Sequence, residues 1–192
     1  GDGRGKEAER VLFHALRRRL PDDYFVYCNL RYLEGVRARE GEADFLVLHR
    51  TEGMLVIECK GKGVHCKPDG RWFRGPDPLS RTPEEQAQAQ AKELRQELEH
   101  RMTKVSGLGW TRLPFVVGHA LAFPRCHAIP SVWPLSLQPE LLYDSRDLAH
   151  MAERVQASMA FWRRVAPGVK PPSEVEFNRF RRQVLHPQLA IV

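Results

Sequence analysis

Two short apolar segments joined by a turn constrain the fold of this chain most strongly. They read ADFLVLH (43–49) and GMLVIEC (53–59). Both have the length of an ordinary strand, and both are almost continuously apolar, as strands buried within a sheet are. Gly53 can adopt a positive φ, so the residues between the segments predict a tight hairpin turn. The sequence therefore predicts an antiparallel pair of buried strands.

Charged residues stand at the ends of these two strands, although a core position is costly for a charge. Glu58 and Lys60 end the second strand, and side chains two positions apart point to the same face. The same holds for Glu42 and Asp44 at the start of the first strand. In a tight hairpin the start of one strand lies beside the end of the next. We therefore expect Asp44, Glu58 and Lys60 to converge.

Helices and further strands surround this pair. KEAERVLFHALRRRL (6–20) has the periodicity of an amphipathic helix, and DYFVYCNLRYL (23–33) has the composition of a strand. Thr82 and Pro83 begin a long helix that continues to about Met102. The other predicted elements are a short hairpin at 63–74, a buried strand at 113–123, and helices at 145–165 and about 173–185.

This order of elements predicts an α/β fold. The strands joined by short turns are expected to be antiparallel, and the strand after the long helix is expected to be parallel to a neighbour. The fold class is a central mixed sheet flanked by helices, in α-β-β-β-α-β-α order. Within the 192 residues, 5–165 are expected to form the main domain. Residues 166–192 are expected to form a C-terminal helical extension that suits a linker to a further module.

Composition limits the function classes. No apolar run is long enough to span a membrane, and no secretion signal is recognisable, so a cytoplasmic protein without membrane contact is expected. The net charge of +6 and the isoelectric point of about 9.4 favour a polyanionic partner such as nucleic acid. The four cysteines form no CxxC pair and are expected to be reduced thiols. A zinc site is an alternative for Cys59, Cys66, Cys126, His65 and His127, but their spacing matches no familiar site.

The charged strand ends suggest a particular chemistry. Two carboxylates aimed at one point form an oxygen-rich site suited to Mg²⁺ or Mn²⁺. A lysine beside them can orient an attacking water and stabilise developing charge. At 100° per residue, Glu9 lies in the middle of the apolar stripe of the first helix, whereas Glu7 faces solvent. Glu9 is therefore a candidate ligand or water holder. The charges alone would equally fit a cross-strand salt bridge at a sheet edge.

An ordered set of motifs runs from the first helix to residue 165. The motifs are EAERVLFHAL, GEADFLVL, LVIECKGKG, GRW, PEEQAQAQ, VGHALAFP and YDSRDLAHM. Asp44 followed by Glu58-Cys59-Lys60 resembles the D…ExK signature of the PD-(D/E)xK nucleases, and the whole set resembles the nuclease-related domain (NERD) family of that superfamily. This resemblance implies a restriction-endonuclease-like fold and a metal-dependent phosphodiesterase that acts on DNA.

The resemblance also implies a set of site residues. They are Glu9, Asp44, Glu58, Lys60 and a glutamine of the 83–102 helix. Gln86 matches the family at PEEQA, whereas the helical wheel places Gln90 nearer the inward face, so both are candidates. The implied metal, Mg²⁺ or Mn²⁺, is expected on Asp44, Glu58, the Cys59 carbonyl and Glu9, with Glu42 in a supporting position.

Contacts with DNA are expected at Lys62, Arg71, Trp72 and Arg74, through phosphate charge and aromatic stacking. A tryptophan in a short hairpin is more often part of the core, so Trp72 allows both interpretations. The leading hypothesis is a Mg²⁺- or Mn²⁺-dependent DNA nuclease. The alternatives are a DNA-binding or protein-binding module on the same fold and an enzyme directed at RNA. Such domains often precede helicases, so a helicase module in the same or a partner chain is also expected.

Overall fold

Four α-helices and eight strands form the part of the chain that the computed structural model describes, residues 3–31, 42–61, 63–105, 107–127 and 137–185. The helices are α1 (Gly3–Arg19), α2 (Pro83–Met102), α3 (Met151–Val165) and α4 (Glu174–Gln183). The strands are β1 (Tyr24–Arg31), β2 (Glu42–His49), β3 (Gly53–Cys59), β4 (Val64–Cys66), β5 (Trp72–Arg74), β6 (Asp77–Pro78), β7 (Val117–Phe123) and β8 (Leu142–Asp144). Short 3₁₀ helices occupy Pro139–Leu141 and Asp147–His150.

The central sheet is mixed, as the sequence predicted. Its five strands lie in the order β1-β2-β3-β7-β8. The first three form an antiparallel meander, whereas β7 is parallel to β3 and β8 is parallel to β7. The helix α2 connects β3 to β7, which is the long connection that a parallel pair requires. The predicted hairpin at 63–74 belongs to a separate three-stranded sheet, β4-β5-β6.

Helices cover both faces of the central sheet. Because side chains alternate along a strand, Leu46 and Val56 point to one face and Val47 and Ile57 to the other. The first face packs against α2 and α4, and the second packs against α1 and α3. All seven residues of β3 are buried, which accounts for its apolar sequence. The result is an α/β/α arrangement with β3 at its centre.

Gly53 closes the turn between β2 and β3. Its φ is +108°, a conformation that residues with a Cβ rarely adopt, and a Cβ there would lie 2.5 Å from the carbonyl oxygen of Val116. The hairpin that the sequence predicted is therefore formed. The turn stands at the opposite end of the strands from Asp44 and Cys59, and this fixes which residues meet at the far end of the pair.

The boundaries of several elements differ from the sequence-based prediction. The strand predicted to begin at 113 begins at Val117, and the helix predicted from 145 begins as a 3₁₀ turn before Met151. The strand β8 was not predicted, because three residues are too few to show a period. Residues 32–33 of the first predicted strand lie outside the described residues.

The helix α4 packs onto the main domain. Its Phe177 and Phe180 are buried in the same cluster as Tyr27 and Leu48 of the central sheet. Phe180 lies 5.1 Å, centroid to centroid, from Phe115 just before β7. The first part of the C-terminal extension predicted at 166–192 therefore contributes to the core. Residues 186–192 lie outside the described part, and the linker role of this extension stays a prediction.

A capping box fixes the start of α2, the helix that carries both candidate glutamines. Thr82 Oγ1 accepts from the backbone N–H of Glu85 at 3.0 Å, and Glu85 Oε2 accepts from the backbone N–H of Thr82 at 2.8 Å. Replacing Thr82 with alanine is expected to lower the free energy of unfolding by about 1 kcal/mol, because one backbone N–H loses its partner. Urea unfolding measures the change. Ser80→Ala, at an exposed position two residues earlier, is the control and should unfold like the wild type.

Candidate functional site

Asp44, near the start of β2, meets the end of β3 at one end of these two central strands. The regular pairing of β2 with β3 ends at Phe45 and Ile57. Beyond it, Asp44 Oδ2 accepts a hydrogen bond of 2.7 Å from the backbone N–H of Cys59. The carboxylate thus takes the place of a backbone acceptor and ties the start of β2 to the end of β3. This is the convergence that the hairpin predicted.

Glu58 and Lys60 form a buried ion pair at the same end of β3. Their residues are 5% and 8% exposed, and Lys60 Nζ donates to Glu58 Oε1. The same ammonium donates to Gln86 Oε1 at 2.5 Å. The backbone N–H of Lys60, just after β3, donates to the carbonyl of Ala122 in β7 at 2.8 Å, so the backbone of the lysine is anchored to β7.

Both candidate glutamines of α2 reach this ion pair. Gln86 contacts Lys60 and also donates to the carbonyl of Arg81 at 3.3 Å. Gln90 Nε2 donates to Glu58 Oε2 at 2.6 Å. Residues four apart lie on the same side of a helix, so α2 presents both amides to β3. Gln90 Oε1 is buried and has no hydrogen-bond partner among the described residues.

The site carries more negative than positive charge. Burial and the nearby charge of Glu58 raise the pKa of Asp44 to about 7, and Glu9 contributes in the same direction. The hydrogen bond from Cys59 and the charge of Lys60 oppose this rise. The effect on Asp44 places Glu9 of α1 within electrostatic reach of the strand ends. Glu7, which the helical wheel predicted to face solvent, pairs with Arg10.

The donor set suits a hard divalent cation. Asp44 and Glu58 supply carboxylates, the Cys59 carbonyl is a further oxygen, and Glu9 lies near enough to act on Asp44. Oxygen donors of this kind fit Mg²⁺ or Mn²⁺, which retain several waters and so need few protein ligands. The buried, unpaired Gln90 Oε1 can accept a hydrogen bond from such a water.

Two observations limit how a cation can bind there. Both oxygens of Glu58 already accept hydrogen bonds, from Lys60 and from Gln90. A cation that binds Glu58 must therefore share an oxygen with one of these donors or displace that donor. Within the described ranges, no group of three or more His, Cys, Asp or Glu side chains is arranged to hold a metal ion. The same finding leaves the alternative zinc site without support. All four cysteines are free thiols, and Cys59 is buried.

The small sheet places the other predicted DNA contacts differently. Trp72 is 4% exposed and its ring stacks on Phe123 with centroids 5.7 Å apart, which favours the core interpretation. Its ring face is therefore covered where a base would have to stack. Arg71 and Arg74 are exposed, and Arg71 pairs with Asp69 at 2.7 Å. These two arginines remain accessible to a phosphate.

Two further predicted residues have no described side chain. Lys62 lies outside the described residues. Glu42 begins β2, opposite Arg31 of β1 in the register, but its side chain lies outside what the structure describes. Their predicted roles therefore stay predictions.

Among the described residues, no helix is both long enough and apolar enough to cross a membrane. The fold and the site together define a mixed α/β domain with two carboxylates and a buried lysine at the ends of its central strands β2 and β3. A family model described as the nuclease-related domain (NERD) matches residues 4–122, more than half of the chain. The chain therefore belongs to the nuclease-related domain family. No curated protein and no solved structure gives a significant match.

The family match includes the whole candidate site. Glu9, Asp44, Glu58, Lys60, Gln86 and Gln90 all lie between residues 4 and 122. The match ends within β7, so it is shorter than the resemblance predicted for 5–165. The helices α3 and α4, which cover the two faces of the sheet, lie beyond it.

Proposed function

We propose that this domain is a Mg²⁺- or Mn²⁺-dependent DNA nuclease that hydrolyses phosphodiester bonds. The observation that carries the proposal is that half-buried Asp44 and the buried ion pair of Glu58 and Lys60 meet where β2 begins and β3 ends, in a nuclease-related domain. Asp44, Glu58 and the Cys59 carbonyl would hold the cation, with Glu9 supporting its waters. When bound, the cation neutralises phosphate charge and lowers the pKa of a coordinated water.

Lys60 is the residue that acts on the reacting groups. An ammonium has three N–H donors, and Glu58 and Gln86 accept two of them. The third can donate to the attacking water or to a phosphate oxygen as negative charge develops there. Because the lysine is buried and held at its backbone by Ala122, this donor is positioned before the substrate arrives.

The glutamines of α2 act by positioning. Gln86 holds the ammonium of Lys60, and Gln90 holds the second oxygen of Glu58. Together they fix the orientation of the two residues that would face the scissile phosphate. Arg71 and Arg74, both exposed, would bind the DNA backbone further away through charge that depends on salt.

The test combines a cleavage assay with metal binding. Single-stranded and double-stranded DNA are incubated with the protein in EDTA, Mg²⁺ or Mn²⁺, and cleavage is expected only with a divalent cation. In calorimetry without DNA, Glu58→Gln is expected to weaken Mn²⁺ binding at least about 10-fold, because it removes a charged ligand. Glu153→Gln, at an exposed position on α3, is the control and should bind Mn²⁺ like the wild type.

The same experiments separate the alternatives. Protein that binds DNA but neither binds Mn²⁺ nor cuts would be a binding module on the nuclease-related fold. This alternative would explain why both oxygens of Glu58 are already held by hydrogen bonds from Lys60 and Gln90. Cleavage of RNA in preference to DNA of the same sequence would reassign the substrate and leave the site unchanged.

A further inference from the structure

An open pocket of about 380 Å³ lies between the first half of α1 and the end of β1. This volume is within the range of pockets that bind small organic groups. Its wall has mixed chemistry: the cations Lys6 and Arg10, the aromatic ring of Phe13, and the amide of Asn29. Glu9 also lines it. Cationic, aromatic and amide groups together match the parts of a nucleotide, namely phosphate, base face and base edge.

The strand β2 connects the pocket to the candidate active site. Phe45 lines the pocket, and Asp44, the residue before it, accepts from the backbone N–H of Cys59 at the end of β3. Cys28, also on the pocket wall, lies opposite Phe45 in the register of β1 and β2. A group in the pocket would therefore lie next to the proposed cation.

Asn29 occupies an unusual position on the pocket wall. Its φ is +50°, and it is the only residue other than glycine with a positive φ among the described residues. The pairing of β1 with β2 is interrupted at this point, since Cys28 opposes Phe45 and Leu30 opposes Ala43 with no pair between them. Strained conformations of this kind concentrate at ligand-binding sites. The exposed amide of Asn29 offers both a donor and an acceptor to a base edge.

An acidic side chain already pairs with two arginines beside the pocket. Glu7 accepts from Arg10 at 2.9 and 3.0 Å, and Arg125, two residues after β7, lies 3.5 Å from the same carboxylate. Two arginines holding one carboxylate have the geometry to hold one phosphate. A phosphate that binds here must therefore displace Glu7.

We propose that this pocket binds one unpaired nucleotide of the substrate strand, next to the scissile phosphate. Lys6 and Arg10 hold its phosphate, Phe13 packs against its base, and the amide of Asn29 contacts the base edge. The identity of the polymer rests on the proposed function. Because the base has to leave the stack to enter the pocket, the domain should prefer single-stranded or frayed DNA to a closed duplex.

Binding measured without cleavage tests this proposal. Fluorescence anisotropy in EDTA is used with a single-stranded thymidine oligonucleotide of about 12 nucleotides and with a hairpin duplex of equal length. Phe13→Leu keeps an apolar side chain but loses the ring face, and it is expected to weaken single-strand binding about 10-fold while duplex binding changes little. Glycine suits the positive φ, so Asn29→Gly should keep its thermal stability. Its affinity for single-stranded DNA is expected to fall to about a third or less, because the amide that contacts the base edge is lost.

The charged variants test the phosphate contact. Arg10→Gln is expected to weaken binding of both DNAs and to lower the salt dependence by about one phosphate contact. Glu7→Gln should have the opposite effect and tighten binding, because Arg10 and Arg125 no longer hold a competing carboxylate. Arg17→Gln, at the exposed far end of α1, is the control for a change of charge alone.

Several outcomes would overturn the pocket proposal. One is that Phe13→Leu and Asn29→Gly bind single-stranded DNA as tightly as the wild type. Another is that Arg17→Gln and Arg10→Gln lose DNA affinity equally. A third is that the wild type does not bind single-stranded DNA. Failure of the nuclease proposal looks different. A protein that never cuts DNA but loses single-strand binding through Phe13 retains the pocket and lacks the activity. One that cuts, while Phe13→Leu binds normally, retains the activity and lacks the pocket.

Discussion

Replacing Lys60 with methionine is expected to lower the rate of DNA cleavage by about 10²–10³-fold, the loss seen when one donor to developing charge is removed. The ammonium is buried at the strand end and has two of its three N–H groups engaged by Glu58 and Gln86. Its third N–H is the one we assign to the reacting groups. Because that contact strengthens as charge develops, the loss should fall mainly on kcat and less on KM.

The design has to separate catalysis from folding. Methionine leaves Glu58 buried without its cation, and breaking one side of a buried pair costs about 3–5 kcal/mol. Lys60→Gln keeps a hydrogen-bond donor without the charge, so it should show a similar loss of rate with a smaller loss of stability. Both variants are assayed below their melting midpoints, beside Lys92→Met at an exposed position on α2. Cleavage by both Lys60 variants at the wild-type rate would contradict the proposed role.

The meeting of Asp44 with the end of β3 could be predicted from the sequence, because it depends only on a tight turn and a two-residue period. The hydrogen bond that holds the two strand ends together could not be predicted. Asp44 accepts from the backbone of Cys59 because regular pairing stops at Phe45 and Ile57, and no residue type in either strand marks that stop. The choice between Gln86 and Gln90 was open for a similar reason. Each amide binds a different partner, so the family motif and the helical wheel each pointed to a residue that contacts the ion pair.

The sequence predicted the elements that are long enough to show a period, and it missed the short strand β8. The mixed sheet follows from the hairpin and the long helix α2, both of which have clear sequence signals. The strand β8 has three residues and no such signal. Trp72 shows a second limit, since its burial against Phe123 joins segments about fifty residues apart, and this depends on how the small sheet packs. The pocket on α1 was missed because Arg10 and Asn29 belong to different elements and neither matches a motif.

Replacing Asp44 with asparagine is expected to abolish metal-dependent cleavage and, at the same time, to stabilise the metal-free protein. Burial and the charge of Glu58 raise the pKa of Asp44 to about 7, from its ordinary 3.8. Between these two values the folded protein holds a proton that the unfolded chain has lost, so stability falls as the pH rises from about 4 to 7. Above pH 7 the full penalty is present. It would reach about 4 kcal/mol if Asp44 titrated alone, since a tenfold change in proton affinity is about 1.4 kcal/mol.

Asparagine removes this penalty and keeps an oxygen that can accept from the Cys59 N–H. We expect Asp44→Asn to raise the free energy of unfolding at pH 8 by about 1–3 kcal/mol, less than the full value because Glu58 and Glu9 adjust their own protonation. The gain should shrink toward zero as the pH falls to 4. Urea unfolding across this range measures it, with Asp22→Asn in the exposed turn after α1 as the control.

Added Mn²⁺ distinguishes a metal ligand from a carboxylate that is merely buried. A cation that binds the folded wild type should raise its melting temperature with concentration, whereas Asp44→Asn should respond much less. The wild type and the variant should therefore approach each other in stability as Mn²⁺ is added at pH 8. A variant that is less stable than the wild type without metal, or that gains as much from Mn²⁺, would show that Asp44 serves the hairpin and not a cation. A variant that is more stable than the wild type without metal and gains little from Mn²⁺ would show that Asp44 is a metal ligand. Its charge would then destabilise the metal-free protein and be neutralised when the cation binds.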